Sequence, residues 1–140
     1  MTMQLERQAA MSRWLLPLQD EQVTWCCIDY AVSFGIQNQV AIRIEQPFIY
    51  TGTDGIEYLI VPEADPVQVA PVLAITRLSV HAAFAYDDGH LEVTFSDGSA
   101  IGVPSTQDYE PWELTGPAGL KIISVPGGEL SVWRPTPESS

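Results

Sequence analysis

Three Asp-Gly pairs, Asp54-Gly55, Asp88-Gly89 and Asp97-Gly98, punctuate runs in which apolar and polar residues alternate. Such a pair marks a tight turn: the carboxylate bonds local backbone, and the glycine takes the left-handed angle that other residues resist. Alternation at period two is the pattern of a strand with one buried face. Leu91, Val93 and Phe95 alternate with Glu92 and Thr94 between two of these turns. Leu78, Val80, Ala82 and Phe84 alternate with Ser79, His81 and Ala83 before them. Turn chemistry and period together restrict the chain to antiparallel β structure built from hairpins.

The rest of the chain follows the same grammar. Residues 23–36 read as one strand. Its apolar face is Cys26, Ile28, Tyr30, Val32, Phe34 and Ile36; Trp25, Cys27, Asp29, Ala31 and Ser33 lie on the other. Val40, Ile42 and Ile44 alternate with Arg43 and Glu45 toward Phe48 and Tyr50, and residues 56–61 return after the turn at Gly55. These three strands predict a meander. Asp65 is an N-cap with Pro66 at the first helical position, and Val69, Val72, Leu73 and Ile75 form a stripe that Pro71 interrupts. Residues 104–111 read as a loop, followed by short strands at 112–115, 120–125 and 129–133. The expectation is a mainly β, β-rich α+β fold: about nine short antiparallel strands in a sandwich or open barrel, with one short helix near Pro66 and Ile75. Residues 1–14 are an N-terminal arm or short helix, 15–134 a single β-rich domain, and 135–140 a disordered tail.

A chain of 140 residues needs neither metal nor disulfide staples to build a core. Its 18 acidic and 6 basic side chains give a net charge of −12. That charge repels nucleic-acid phosphates and anionic membranes, favours solubility, and steers the protein toward a basic partner. Cys26 and Cys27 are adjacent and on a strand would point to opposite faces, so a bond between them is disfavoured. The early apolar run at 14–18 is too short, and too interrupted by Pro17, for a signal or membrane segment. A cytoplasmic location is expected.

Chemistry-bearing groups are sparse. Neither cysteine has a basic neighbour in sequence to activate it, and His81 and His90 lack the companions of a zinc site. No glycine-rich loop opens a helix, and no nucleophile elbow occurs. The expectation is therefore no enzyme, no metal and no cofactor. Asp54, Asp88 and Asp97 are accounted for by turns, and Asp29 reads as a solvent-facing mid-strand charge. Asp108, Glu110 and Glu113 are interleaved with Tyr109 and Trp112 beside Pro111. Aromatics flanked by acids on a loop suit a basic partner. The plainer account, with Trp112 in the core and the acids solvated, stands beside it.

Trp112-Glu113-Leu114-Thr115-Gly116-Pro117, then Gly119-Leu120, then Pro126-Gly127-Gly128-Glu129-Leu130, closing at Val132-Trp133, form a signature. It resembles that of a family of small bacterial proteins of unknown function. Cys27-Ile28-Asp29-Tyr30 with Phe34, and the hairpin at 91–98, resemble earlier parts of that family. The family's general look is similar to the small β-rich immunity proteins that sit beside bacterial toxins. Charge, size, the missing motifs and this resemblance together point to a non-catalytic acidic protein-binding module, an immunity-type inhibitor or adaptor for a basic bacterial protein. Alternatives are a self-associating module forming a homodimer, and a small-molecule-binding β domain.

Overall fold

The computed structural model describes residues 5–133. The described chain forms two antiparallel sheets packed as a β-sandwich, with no closed barrel. In chain order the strands are β1 (Glu6–Gln8), β2 (Arg13–Leu15), β3 (Val23–Ile28), β4 (Val32–Ile36), β5 (Val40–Ile44), β6 (Phe48–Thr51) and β7 (Glu57–Ile60). After helix α1 (Pro66–Val69) come β8 (Val80–Tyr86), β9 (Leu91–Phe95), β10 (Ala100–Val103), β11 (Trp112–Thr115), β12 (Lys121–Ser124) and β13 (Leu130–Trp133). One sheet has seven strands in the order β1-β2-β8-β9-β10-β6-β7; the other has six, β13-β12-β11-β5-β4-β3. The inward residues of both sheets are buried, and Phe34 of β4 meets Phe95 of β9 edge to face, 6.4 Å between ring centroids.

Thirteen described strands replace the nine read from sequence, for three physical reasons. The run 23–36 is a hairpin: Ile28 pairs with Val32 across a turn in which Tyr30 takes φ +66°. Paired positions such as 28 and 32 are both even, so the alternation continues through the turn and hides it. Tyr30, assigned to the core face, is consequently 82% exposed at the tip, and Asp29 sits in the turn rather than mid-strand. The expected meander breaks at Pro47, which cannot donate to a ladder; β5 and β6 lie in different sheets. Of the segment expected as an arm or short helix, the described residues contribute a 3₁₀ turn at Ala9–Met11 that joins β1 to β2 in a hairpin. Guanidinium contacts, which a hydrophobicity pattern does not register, tie it to the sheet: that of Arg13 lies 3.6 Å from the Phe84 ring centre, and that of Arg7 pairs with Asp87 at 2.6 Å. The tail expected at 135–140 lies outside the described residues.

The helix forms where expected. The Val67 amide donates to the Asp65 side chain, and α1 runs one turn before Ala70–Ile75 tightens into a 3₁₀ helix around Pro71. Val69, Val72 and Ile75 are buried in the core. The Asp-Gly turns share one device. Asp54, Asp88 and Asp97 accept from the amides of Ile56, His90 and Ser99 at 3.0, 3.0 and 2.9 Å. The glycine that follows each aspartate has positive φ.

At one end the two sheets are closed by their own turns. Gly89, between β8 and β9, approaches Gly128, between β12 and β13, so closely that a Cβ on Gly89 would stand 2.4 Å from the Gly128 carbonyl oxygen. The Trp112 indole N–H donates to the Gly89 carbonyl at 2.9 Å. This end is where the segment 104–111 crosses from β10 to β11.

Candidate functional site

The crossing segment is fixed chiefly through Gln46. Its side-chain amide donates to the Pro104 carbonyl at 3.2 Å and accepts from the Tyr109 hydroxyl at 3.0 Å. The Glu45 amide donates to the Pro111 carbonyl at 2.9 Å, which aligns β11 beside β5. Asp108, Tyr109 and Glu110 are exposed along this segment. Strand alternation then separates the last two expected contact residues: Trp112 points into the core, 1% exposed, and Glu113 points outward. Trp112 is therefore corrected from contact surface to core, because its indole is held beneath the turn at Gly89.

On the outer face of the six-stranded sheet, Glu113 lies directly opposite Arg43 of β5, and Arg43 lies opposite Ser33 of β4. Arg43 reaches Glu45 at 3.1 Å, and Asp29 and the Ser33 hydroxyl at 3.3 Å each. The hydrogen bond to Glu45 is the main reason its guanidinium holds its proton even more firmly than usual; partial burial opposes this and Asp29 adds to it. A depression of about 120 Å³ is lined by Arg43, Glu45, Glu110, Trp112 and Glu113. The sequence pattern places Arg43 and Glu45 on a solvent face without joining them to the loop. The missing information is the β5–β11 register, which links residues some 70 positions apart.

The opposite sheet carries a second feature. His90 stacks on Tyr86, 3.9 Å between ring centroids, with its Nδ1 2.5 Å from Asp88 and its Nε2 3.9 Å from Glu92. Burial pushes the Asp88 carboxyl up, but hydrogen bonds from the His90 amide and ring outweigh it and hold the group below the usual range. His81 is exposed at the irregularity where β8 pairs with β9. Beside His90 a shallow groove of about 490 Å³ runs over Ala100 and Gly102, with Ile49, Thr51 and Glu57 on one side and Glu92 on the other. Among the described residues no group of three metal-ligating side chains converges.

Both cysteines are free. Cys26 packs against the core, and burial, helped by the neighbouring Cys27, pushes its thiol up to about 11. The thiolate is the reactive form, so Cys26 should resist alkylation at neutral pH and react progressively faster as pH approaches 11. Mass spectrometry after brief iodoacetamide treatment at mildly alkaline pH should show a single adduct, on the exposed Cys27, and two after unfolding. Equal labelling of both in the native state would contradict this placement.

Among the described residues no helix is long and apolar enough to cross a membrane. Comparison with curated proteins gives no match, and comparison with solved structures gives none. A family model described as "Family of unknown function (DUF6188)" matches residues 14–134, which takes in the strands from β2 to β13 almost whole. With most of its length matched, the chain belongs to the family of unknown function DUF6188.

Proposed function

We propose that this protein is a non-catalytic binding domain for a basic protein partner, engaged through the outer face of the six-stranded sheet around Arg43. One observation carries the reading: Asp29, Glu45, Glu110 and Glu113 gather about a single guanidinium, on a chain of net charge −12. Arg43 neutralises part of that charge and fixes the positions of Asp29 and Glu45. Glu110 and Glu113 remain available to a partner's Lys or Arg. Asp108 and the ring of Tyr109 extend the surface along the crossing segment. A preorganised acidic face of this kind raises the rate of encounter with a cation-rich protein and rejects acidic ones. The concrete form is an immunity-type inhibitor or adaptor acting in the cytoplasm, where two free cysteines are at home.

The test is the triple variant Asp108→Asn, Glu110→Gln, Glu113→Gln, which keeps side-chain shape and removes charge. Wild type immobilised in a lysate of the native host should retain a basic protein at low salt and release it at high salt. The triple variant should bind that protein about tenfold or more weakly, with a flatter salt dependence. Equal retention by both proteins would reject this face as the site.

A further inference from the structure

We infer that β7 is a docking edge that accepts an extended, cationic segment of a partner protein as an additional strand of the seven-stranded sheet. The inference rests on the reading of a basic partner and adds a second surface, on the opposite sheet.

The geometry of the edge comes first. Among the described residues β7 pairs only with β6, in a register that sets Tyr50 opposite Tyr58 and Ile49 opposite Leu59. The Gly52 amide donates to the Ile56 carbonyl at 3.0 Å, which fixes the alternation of the ladder. Ile56, Tyr58 and Ile60 turn their backbone groups toward β6; Glu57 and Leu59 turn theirs outward. That leaves a short row of amides and carbonyls presented at the sheet margin.

Two of the other three edges are guarded and this one is not. On β1 the central arginine, Arg7, is held by Asp87. β3 carries a register shift between Val23 and Trp25, and its Trp25 indole lies over Gly35. Bulges, charges and prolines are the usual means of discouraging strand addition. β7 has no lysine, proline or register shift, and Glu57 is its one charge. Apart from the buried Ile60, its apolar side chains are open to solvent: Leu59 is 65% exposed and the flanking Ile56 53%, with Tyr58 and Val61 also exposed.

Charge selects the occupant. Between Arg43 and Arg77 the chain holds no lysine, arginine or histidine, but it holds Glu45, Asp54, Glu57, Glu63 and Asp65. A second copy would bring the same carboxylates to the same edge, and repulsion would oppose the pairing. A strand alternating Lys or Arg with β-branched residues meets no such obstacle. Its cationic side chains fall on the face of Glu57, with their stems along Leu59, and its apolar ones fall beside Tyr58. Main-chain hydrogen bonds then supply affinity and the alternate side chains supply selectivity.

The probe is an acetylated, amidated Lys-Val alternating peptide of about eight residues, titrated into the ¹⁵N-labelled full chain. The amides of Glu57 and Leu59 should shift and gain protection from exchange, with binding weakened as salt rises from about 50 mM to about 500 mM. A Glu-Val peptide of the same length should leave them unmoved. Leu59→Pro removes an outward amide without breaking the ladder to β6, so the protein should stay folded and lose affinity about tenfold. Glu57→Lys should reverse the preference toward the Glu-Val peptide. Three results would overturn the inference: no shift with the Lys-Val peptide, shifts confined to the surface around Arg43, or shifts of the Glu57 and Leu59 amides produced by concentrating the protein alone. The proposed function fails separately, when the Asp108, Glu110 and Glu113 triple variant keeps its partner.

Discussion

Replacing Gly89 or Gly128 by alanine should lower stability by about 3 kcal/mol or more and the melting temperature by about 10 °C. Two effects add at these positions. Both residues have φ +95°, where a Cβ is strained whatever surrounds it. Each also faces backbone rather than side chain. A Cβ on Gly89 would stand 2.4 Å from the Gly128 oxygen and 2.7 Å from its Cα; one on Gly128 would stand 2.4 Å from the Asp88 oxygen. A side chain would rotate away, but two hairpin turns packed against each other have nowhere to go. Gly98 and Gly127 separate the two effects, with φ of +89° and +94° and no atom within 4 Å of the place a methyl group would take. Alanine there should cost only the conformational part, about 1 kcal/mol. Urea unfolding of the four single variants makes the comparison. If Gly89→Ala and Gly98→Ala lose the same stability, the two turns are not in contact. The consequence reaches the acidic face, because the Gly127 amide donates to the Thr106 carbonyl at 3.0 Å. Loosening the turn should therefore release the segment that presents Asp108, Tyr109 and Glu110.

What the sequence makes legible here is local, and what it conceals is parity and register. The Asp-Gly turns, the Asp65 cap and the strands 91–95 and 100–103 are readable because each depends on residues a few positions apart. The β3–β4 hairpin is concealed because its odd-numbered loop preserves alternation, so Cys26 and Phe34 read as one face of one strand although they sit opposite each other on two. The β1–β2 hairpin is concealed because an ion pair of Arg7 with Asp87 and the Arg13 guanidinium on the Phe84 ring tie it to the sheet, contacts that no apolar stripe announces. At the candidate site, acidity between Asp108 and Glu113 is plain from composition. That Arg43 stands opposite Glu113 is a fact of sheet order alone. The alternation rule applied from Glu113 backward places Trp112 inside, and that inference is open to the sequence once 112–115 is read as a strand.

Trp112→Ala should destabilise the protein by about 4 kcal/mol or more, and Trp112→Phe by about 2 kcal/mol. Alanine removes a fully buried indole and leaves a void between the sheets, in a region already closed by rigid turns. Phenylalanine keeps most of the apolar volume but lacks the N–H that donates to the Gly89 carbonyl at 2.9 Å. The difference between the two variants therefore reports mainly packing, and the smaller loss reports mainly the hydrogen bond. Trp112 and Gly89 share that bond, so Trp112→Phe combined with Gly89→Ala should destabilise by less than the two single effects added together. Partner binding supplies the discriminating readout. Trp112 and Glu113 are neighbours on β11 that face opposite sides of the sheet, so a folded Trp112→Phe protein should present Glu113, Glu110 and Arg43 unchanged and bind as wild type. Lost binding at unchanged stability would make the indole a contact residue and move the docking surface to the end of the sandwich beneath Gly89. Lost stability with retained binding would leave the outer face of the six-stranded sheet as the surface, with Trp112 as the wedge that holds its strand in place.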